Sequence, residues 1–214
     1  MQRFYKFALT VFILLFSAHQ SAAQEDVARP APEIASEIRK LSPAVRAQEF
    51  MAVAAHPLAA QAGLNILTSG GNAADAAIAM QAVLGLVEPQ SSGLGGGGFL
   101  LYYNADTKAL TALDGRETAP SAANPDIFLD NQGDPVSFYD AVSSGRSIGV
   151  PGTPALMWEL HQRFGAMDWP ALLAPGIAIA EKGFPISSRL YKSLLADKAR
   201  LTRDPLATAY FYQE

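Results

Sequence analysis

Cysteine is absent from this 214-residue chain, which excludes a disulfide scaffold, a thiolate metal site and a cysteine nucleophile. Charge is sparse, at 17% of residues with a formal net charge of −4. No basic stripe of the kind nucleic-acid binders carry is present, so no nucleic-acid partner is expected. Histidine is scarce as well, with three in the chain. His56 precedes Pro57 at a helix start and His161 lies on an expected helix. Neither has a histidine or carboxylate at metal spacing, so structural roles and no metal are expected. What the chain does have is apolar surface: half its residues are hydrophobic, ample for a globular core and enough length for one or two domains.

The N-terminus follows the pattern of a secretory signal peptide. Arg3 and Lys6 are basic, Phe7–Ala18 carries no charge, and Ser21-Ala22-Ala23 places small residues at −3 and −1 of a cleavage site. A membrane anchor is the rival reading, but twelve residues of helix reach only ~18 Å into a hydrocarbon core of ~30 Å. Residues 1–23 are therefore expected to direct export, to the periplasm in a Gram-negative cell or otherwise to the exterior, with no stable membrane insertion. Losing Arg3 and Lys6 leaves a more acidic mature chain. Residues 24–49, interrupted by Pro30, Pro32 and Pro43, read as an extended lead-in with one short helix around Ala35–Leu41. Residues 50–214 form the organised domain.

That domain opens with Phe50-Met51-Ala52-Val53-Ala54, an apolar run that predicts a strand. Pro57–Thr68 predicts a largely buried helix whose polar residues Gln61, Asn65 and Thr68 fall on one narrow stripe. Gly70-Gly71 ends it. Asn72 caps the next helix, with Asp75 at the N3 position facing free amides. From Ala73 to Leu86 only Asp75 and Gln81 are polar, so this helix is expected to be buried almost all round. Phe99–Tyr103 and Ala109–Leu113 predict a hairpin across Asn104–Lys108. Residues 117–150 are loop-rich. Three closing helices are expected at Thr153–Phe164, Trp169–Lys182 and Ser187–Arg200, the middle one capped by Asp168, bent by Pro175 and ended by Gly183.

Two motifs carry potential chemistry. Gly93-x-Gly95-x-x-Gly98 matches the dinucleotide fingerprint in letters only, because a helix precedes the glycines and a strand follows, the reverse of the required order. No lysine with serine or threonine follows, so a P-loop is excluded too. A tight, close-packed turn remains. Asp114-Gly115-Arg116-Glu117-Thr118-Ala119-Pro120 ends a buried strand, where binding residues tend to sit. Arg116 there is either a planar fork of donors for a carboxylate or a surface arginine paired with Asp114 or Glu117. Spacing alone leaves both open and makes the surface pair the commoner case.

Five segments in order resemble the gamma-glutamyltranspeptidase (glutathione hydrolase) family. They are Gly70–Ala77, Glu88-Pro89-Gln90, Gly93–Phe99, Asp114–Pro120 and Gly149-Val150-Pro151-Gly152-Thr153. Gly176 to Phe184 continues the match, which runs from about Val53 to Leu195. The resemblance implies an α+β fold, the αββα sandwich of N-terminal nucleophile hydrolases, of which this chain supplies the front part of a large subunit. It implies a precursor that cuts itself, exposing a threonine nucleophile whose own α-amine is the base. That threonine attacks the γ-glutamyl amide of glutathione or a related compound, and the acyl group passes to water or an amino acid. No metal or organic cofactor is needed.

By the same resemblance Arg116 binds the substrate α-carboxylate. Gly95, Gly96, Gly97 and Gly98 form a structural turn near the site. Gly115 departs from the bulky residue often found before that arginine, which alters the pocket wall. No Thr-Thr-His-like segment occurs here. Thr107, Thr111, Thr118, Thr153, Thr202 and Thr208 all have other neighbours. The nucleophile is thus expected beyond Glu214, on a small subunit from the same precursor, and the 214-residue piece alone is expected to be inactive. The piece is also expected to stop mid-domain after Arg203-Asp204-Pro205, with no terminal helix or cap. The alternatives are a β-lactam (glutaryl) acylase of the same superfamily and, should the frame close at Glu214, a non-catalytic binding protein.

Overall fold

His56 starts the regular structure, its Nδ1 accepting the Leu58 N–H at 3.2 Å while Pro57 fills a first-turn position that needs no donor. In this computed structural model residues 44–212 are described; the expected signal peptide and the Ala35–Leu41 helix lie outside them. Helix α1 (Pro57–Thr68) ends in a Schellman motif: Gly71 donates to the Ile66 carbonyl and Gly70, at φ +93°, to that of Leu67. Its Gln61–Asn65–Thr68 stripe is exposed, as expected.

Helix α2 (Ala73–Val87) opens in a full capping box. Asn72 Oδ1 accepts from Ala74 and Asp75, and Asp75 Oδ2 accepts the Asn72 N–H. The small residues bring α1 and α2 close: a Cβ on Gly63 would lie 2.7 Å from Met80 Cγ. The core forms around α2. Ile78, Ala79, Leu160 and Leu172 make one cluster, and Ala59, Ala62, Val83 and Val87 a second. Full burial of each larger side chain contributes roughly 1.5–3 kcal/mol before entropy is counted.

Strands β1 (Gly98–Asn104) and β2 (Ala109–Gly115) form the expected hairpin, with Gly98 opposite Gly115 and Leu101 opposite Ala112. Asn104 Oδ1 closes the turn by accepting from Asp106 and Thr107. Leu100, Tyr102 and Leu113 pack on the helices, while Phe99, Leu101, Tyr103 and Leu110 on the opposite face are exposed. An arm over residues 116–150 follows, pinned by bridges at Thr118–Val150 and Leu129–Pro135. It contains the short helix α3 (Phe138–Val142) and a 3-10 turn at Gly145–Ser147. Helices α4 (Thr153–Phe164) and α5 (Trp169–Lys182) match their expected limits, and Gly183 at φ +76° ends α5.

Four expectations change. Phe50–Ala54 is not a strand; a strand is defined by a partner, and no described residue pairs with it. Asp168 stands at the N-cap of α5, yet its side chain makes no capping bond; its backbone carbonyl takes the Ala171 N–H instead. The helix expected over Ser187–Arg200 is two, α6 (Ser188–Ala196) and α7 (Lys198–Leu201). The break falls at Asp197, whose carboxylate is engaged by Arg200. Finally, α8 (Pro205–Phe211) follows, capped by Asp204 Oδ1 on the Leu206 and Ala207 amides. Where no terminal helix or cap is expected, Asp204 is a cap followed by an N1 proline.

Candidate functional site

Three loops far apart in sequence meet at the end of β2. The Gly96 carbonyl accepts the N–H groups of Gly152 and Thr153 at 2.9 and 3.0 Å. In doing so it satisfies amides at the start of α4, where Gly152 has no side chain to cap with. Thr118 accepts the Val150 N–H at 2.9 Å. The glycine run, the Asp114–Pro120 segment and the Gly149–Thr153 turn are thereby one unit.

The close approach explains the glycines selectively. A Cβ on Gly97 would collide with the Gly115 carbonyl oxygen and stand 2.8 Å from the Glu117 nitrogen. One on Gly152 would collide with the Gly115 carbonyl, and one on Gly149 would lie 2.9 Å from Glu117 Cβ. Gly95 and Gly98 face open space, and Gly96 has only ordinary contacts. Gly115 itself lies against α4: a Cβ there would be 2.6 Å from Leu156 Cβ. Its missing side chain is therefore accounted for by helix packing.

Arg116 leaves this knot toward the open face of the hairpin. Its N–H donates to Asp114 Oδ1 at 3.0 Å, fixing the backbone turn. The guanidinium lies 6.0 Å from the Phe99 ring centroid, within cation–π range. Its Nε stands 3.3 Å from Glu117 Oε2, with the arginine side chain 59% exposed and the glutamate 30%. Of the two partners open at the sequence level, Glu117 makes the ion pair and Asp114 holds the backbone. The Glu117 oxygen of this pair is buried and makes no hydrogen bond to the described residues, while the guanidinium is open to solvent.

Both described histidines have structural partners. His56 caps α1. His161 Nε2 lies 2.9 Å from the Met167 carbonyl, and its ring contacts Trp158 and Trp169. Among the described residues no group of three or more His, Asp or Glu side chains could hold a metal. No helix there is long and apolar enough to cross a membrane.

A brace behind the glycine turn escaped sequence reasoning. Glu88, 3% exposed, forms an ion pair with Arg189 of α6. Nothing in local spacing signals a partner 101 positions away; the one hint is a glutamate at the end of a helix whose last turn, Leu84–Val87, is apolar.

The family model described as gamma-glutamyltranspeptidase matches residues 59–214. The glutathione hydrolase proenzyme of Bacillus subtilis strain 168 is 43% identical over 156 residues, which cover 73% of this chain and 27% of that protein. The chain thus spans about a quarter of the length of that curated relative. The crystal structure of Helicobacter pylori gamma-glutamyltranspeptidase superposes with a TM-score of 0.75 at 35% identity, over 80% of this chain and 49% of that one. A cephalosporin acylase from Bacillus halodurans superposes with a TM-score of 0.59 at 30% identity, over 79% of this chain and 32% of that one.

Proposed function

Because this chain belongs to the gamma-glutamyltranspeptidase family and shares its α+β fold, we propose that it is part of an exported γ-glutamyl hydrolase and transferase. The substrate is glutathione or a related γ-glutamyl amide, and the acyl group goes to water or an amino-acid acceptor. Arg116 binds the substrate α-carboxylate. The observation that carries this is its placement: three interlocked loops hold its backbone rigidly, while its side chain stands exposed beside Phe99. The planar Nη edge of a guanidinium takes a carboxylate through two parallel hydrogen bonds. Glu117 Oε2 lies against Nε, which leaves the Nη edge for the substrate. Gly95 to Gly98 support the turn structurally, with Gly97 the tightest.

The nucleophile is a threonine of the small subunit from the same precursor, a segment beyond Glu214. Its hydroxyl attacks the γ-carbonyl carbon, its α-amine takes the hydroxyl proton, and that proton goes to the departing amide nitrogen. The resulting ester is opened by water or by an acceptor amine. No cofactor enters these steps. The apolar outer face of the hairpin, Phe99, Leu101, Tyr103 and Leu110, suits the second sheet of an αββα sandwich packed at ~10 Å. Residues 1–23 direct export and are removed, 24–49 lead in, and 50–214 are large-subunit sequence.

The test is release of p-nitroaniline from a γ-glutamyl anilide by the full-length precursor after maturation, with none from the 214-residue chain alone. The likeness to the cephalosporin acylase supports a second reading, a β-lactam side-chain acylase. Preference for glutaryl over γ-glutamyl substrates selects it.

A further inference from the structure

The segment leading into the glycine turn is held from behind by side chains that the substrate reading leaves unused. Arg189, in the first turn of α6, forms the ion pair with Glu88 Oε2 and donates from Nη2 to Ser91 Oγ at 2.9 Å. Gln90 Nε2 donates to the same Glu88 oxygen at 2.6 Å. The Ser91 and Ser92 N–H groups both donate to the Glu88 carbonyl at 3.0 Å, and Gln81 Nε2 on α2 donates to Ser92 Oγ at 2.7 Å. Residues 88 to 92 are thus tied at four side chains, and the next residue is Gly93, whose carbonyl accepts the Gly96 N–H. Beyond it Gly96 and Gly97 contact Gly152, Gly115 and Glu117.

We infer that Arg189 is a positioning residue for the γ-glutamyl site: its two-headed grip on Glu88 and Ser91 sets where the Gly93–Gly98 turn begins, and so where Arg116 stands. The inference rests on the reading of Arg116 as the carboxylate-binding residue. Arg189 suits the task for two reasons. A carboxylate as buried as Glu88 cannot lose its cation without the loop moving or taking in water. The planar fork also reaches two acceptors at fixed spacing, which a lysine ammonium cannot reproduce. Displacement of a substrate-orienting group by about 1 Å is enough to cost a large factor in rate or binding.

The test uses the matured full-length enzyme with γ-glutamyl p-nitroanilide and with 4-aminobutyryl p-nitroanilide, which lacks the α-carboxylate. Arg189→Met is expected to raise KM for the γ-glutamyl substrate by about 10-fold with kcat within about 3-fold, and to leave the 4-aminobutyryl kinetics unchanged. Arg189→Lys recovers part of the loss. Arg116→Ala/Arg189→Met is no worse than Arg116→Ala alone, since the two act through one contact. A wild-type KM in folded Arg189→Met enzyme, or equal losses on both substrates, overturns the inference. Where Arg189→Met fails to mature, Ser91→Ala removes a single acceptor: a rise in KM of roughly 2–3-fold for the γ-glutamyl substrate alone supports it, and an unchanged KM overturns it. If Arg116→Ala itself leaves KM unchanged, the carboxylate reading fails. If Arg116→Ala raises KM while Arg189→Met does not, the positioning role alone fails.

Discussion

The fully buried carboxylate of Asp75 accepts the backbone N–H of Ala166 at 3.1 Å, joining the first turn of α2 to the chain beyond the end of α4. The same carboxylate accepts from Asn72 and Met167, and Asn72 Nδ2 returns a bond to the Phe164 carbonyl at 2.6 Å. One residue thus caps a helix and fastens a second helix to it. Asp75→Ala strips acceptors from buried amides and should destabilise the chain by about 3 kcal/mol or more. The fall in urea midpoint at constant m-value measures it. Asp75→Asn, which keeps the shape and one acceptor oxygen, should lose less.

Glycines of the central turn should not respond alike. Gly97→Ala and Gly152→Ala drive a methyl into the backbone of Gly115, for which overpacking costs of ~1–3 kcal/mol are typical. Gly95→Ala and Gly98→Ala enter open space and should leave the melting temperature nearly unchanged. Because Gly97 abuts the segment bearing Arg116, its variant should also raise the substrate KM.

Asp140 offers a pH test. The Ser137 hydroxyl donates to it at 2.6 Å and Arg203 Nη1 at 3.0 Å, and both hold its carboxyl below the usual carboxylate value. A depressed native pKa means the contribution is present above the unfolded-state pKa and disappears as pH falls through the native one. Carboxyl NMR titration should therefore place Asp140 below an unstructured aspartate. Ser137→Ala and Arg203→Gln should each move it upward, since each removes a contact that lowers it.

The hairpin's outer face should make the isolated 214-residue chain self-associate. Leu101 and Tyr103 point outward beside Phe99 and Leu110, a contiguous apolar surface of the kind that monomers avoid. Leu101→Lys with Tyr103→Lys should shift the chain toward monomer in sedimentation velocity. Unchanged association would place the sticky surface elsewhere.

Much of this fold is legible in the residues because its boundaries are chemical. His56-Pro57, Asn72 with Asp75, and Gly70-Gly71 each carry the donor, acceptor or left-handed turn that a helix end requires. Phe50–Ala54 is illegible for the opposite reason, since strandedness depends on a neighbour and not on the run itself. The break at Asp197 is hidden because it falls inside a segment with helical periodicity that holds no proline or glycine to mark it. At the site, Glu117 as the partner of Arg116 could be read from adjacency. The Glu88–Arg189 brace could not, because it is made by packing α6 against a loop 101 positions earlier.

The most direct measurement is KM for γ-glutamyl p-nitroanilide in matured full-length enzyme carrying Arg116→Ala. Loss of a bidentate, charge-assisted contact worth about 3 kcal/mol should raise KM by roughly 100-fold, with kcat changing far less. A KM equal to that of the unaltered enzyme would contradict the assignment of Arg116 and with it the central account of this site.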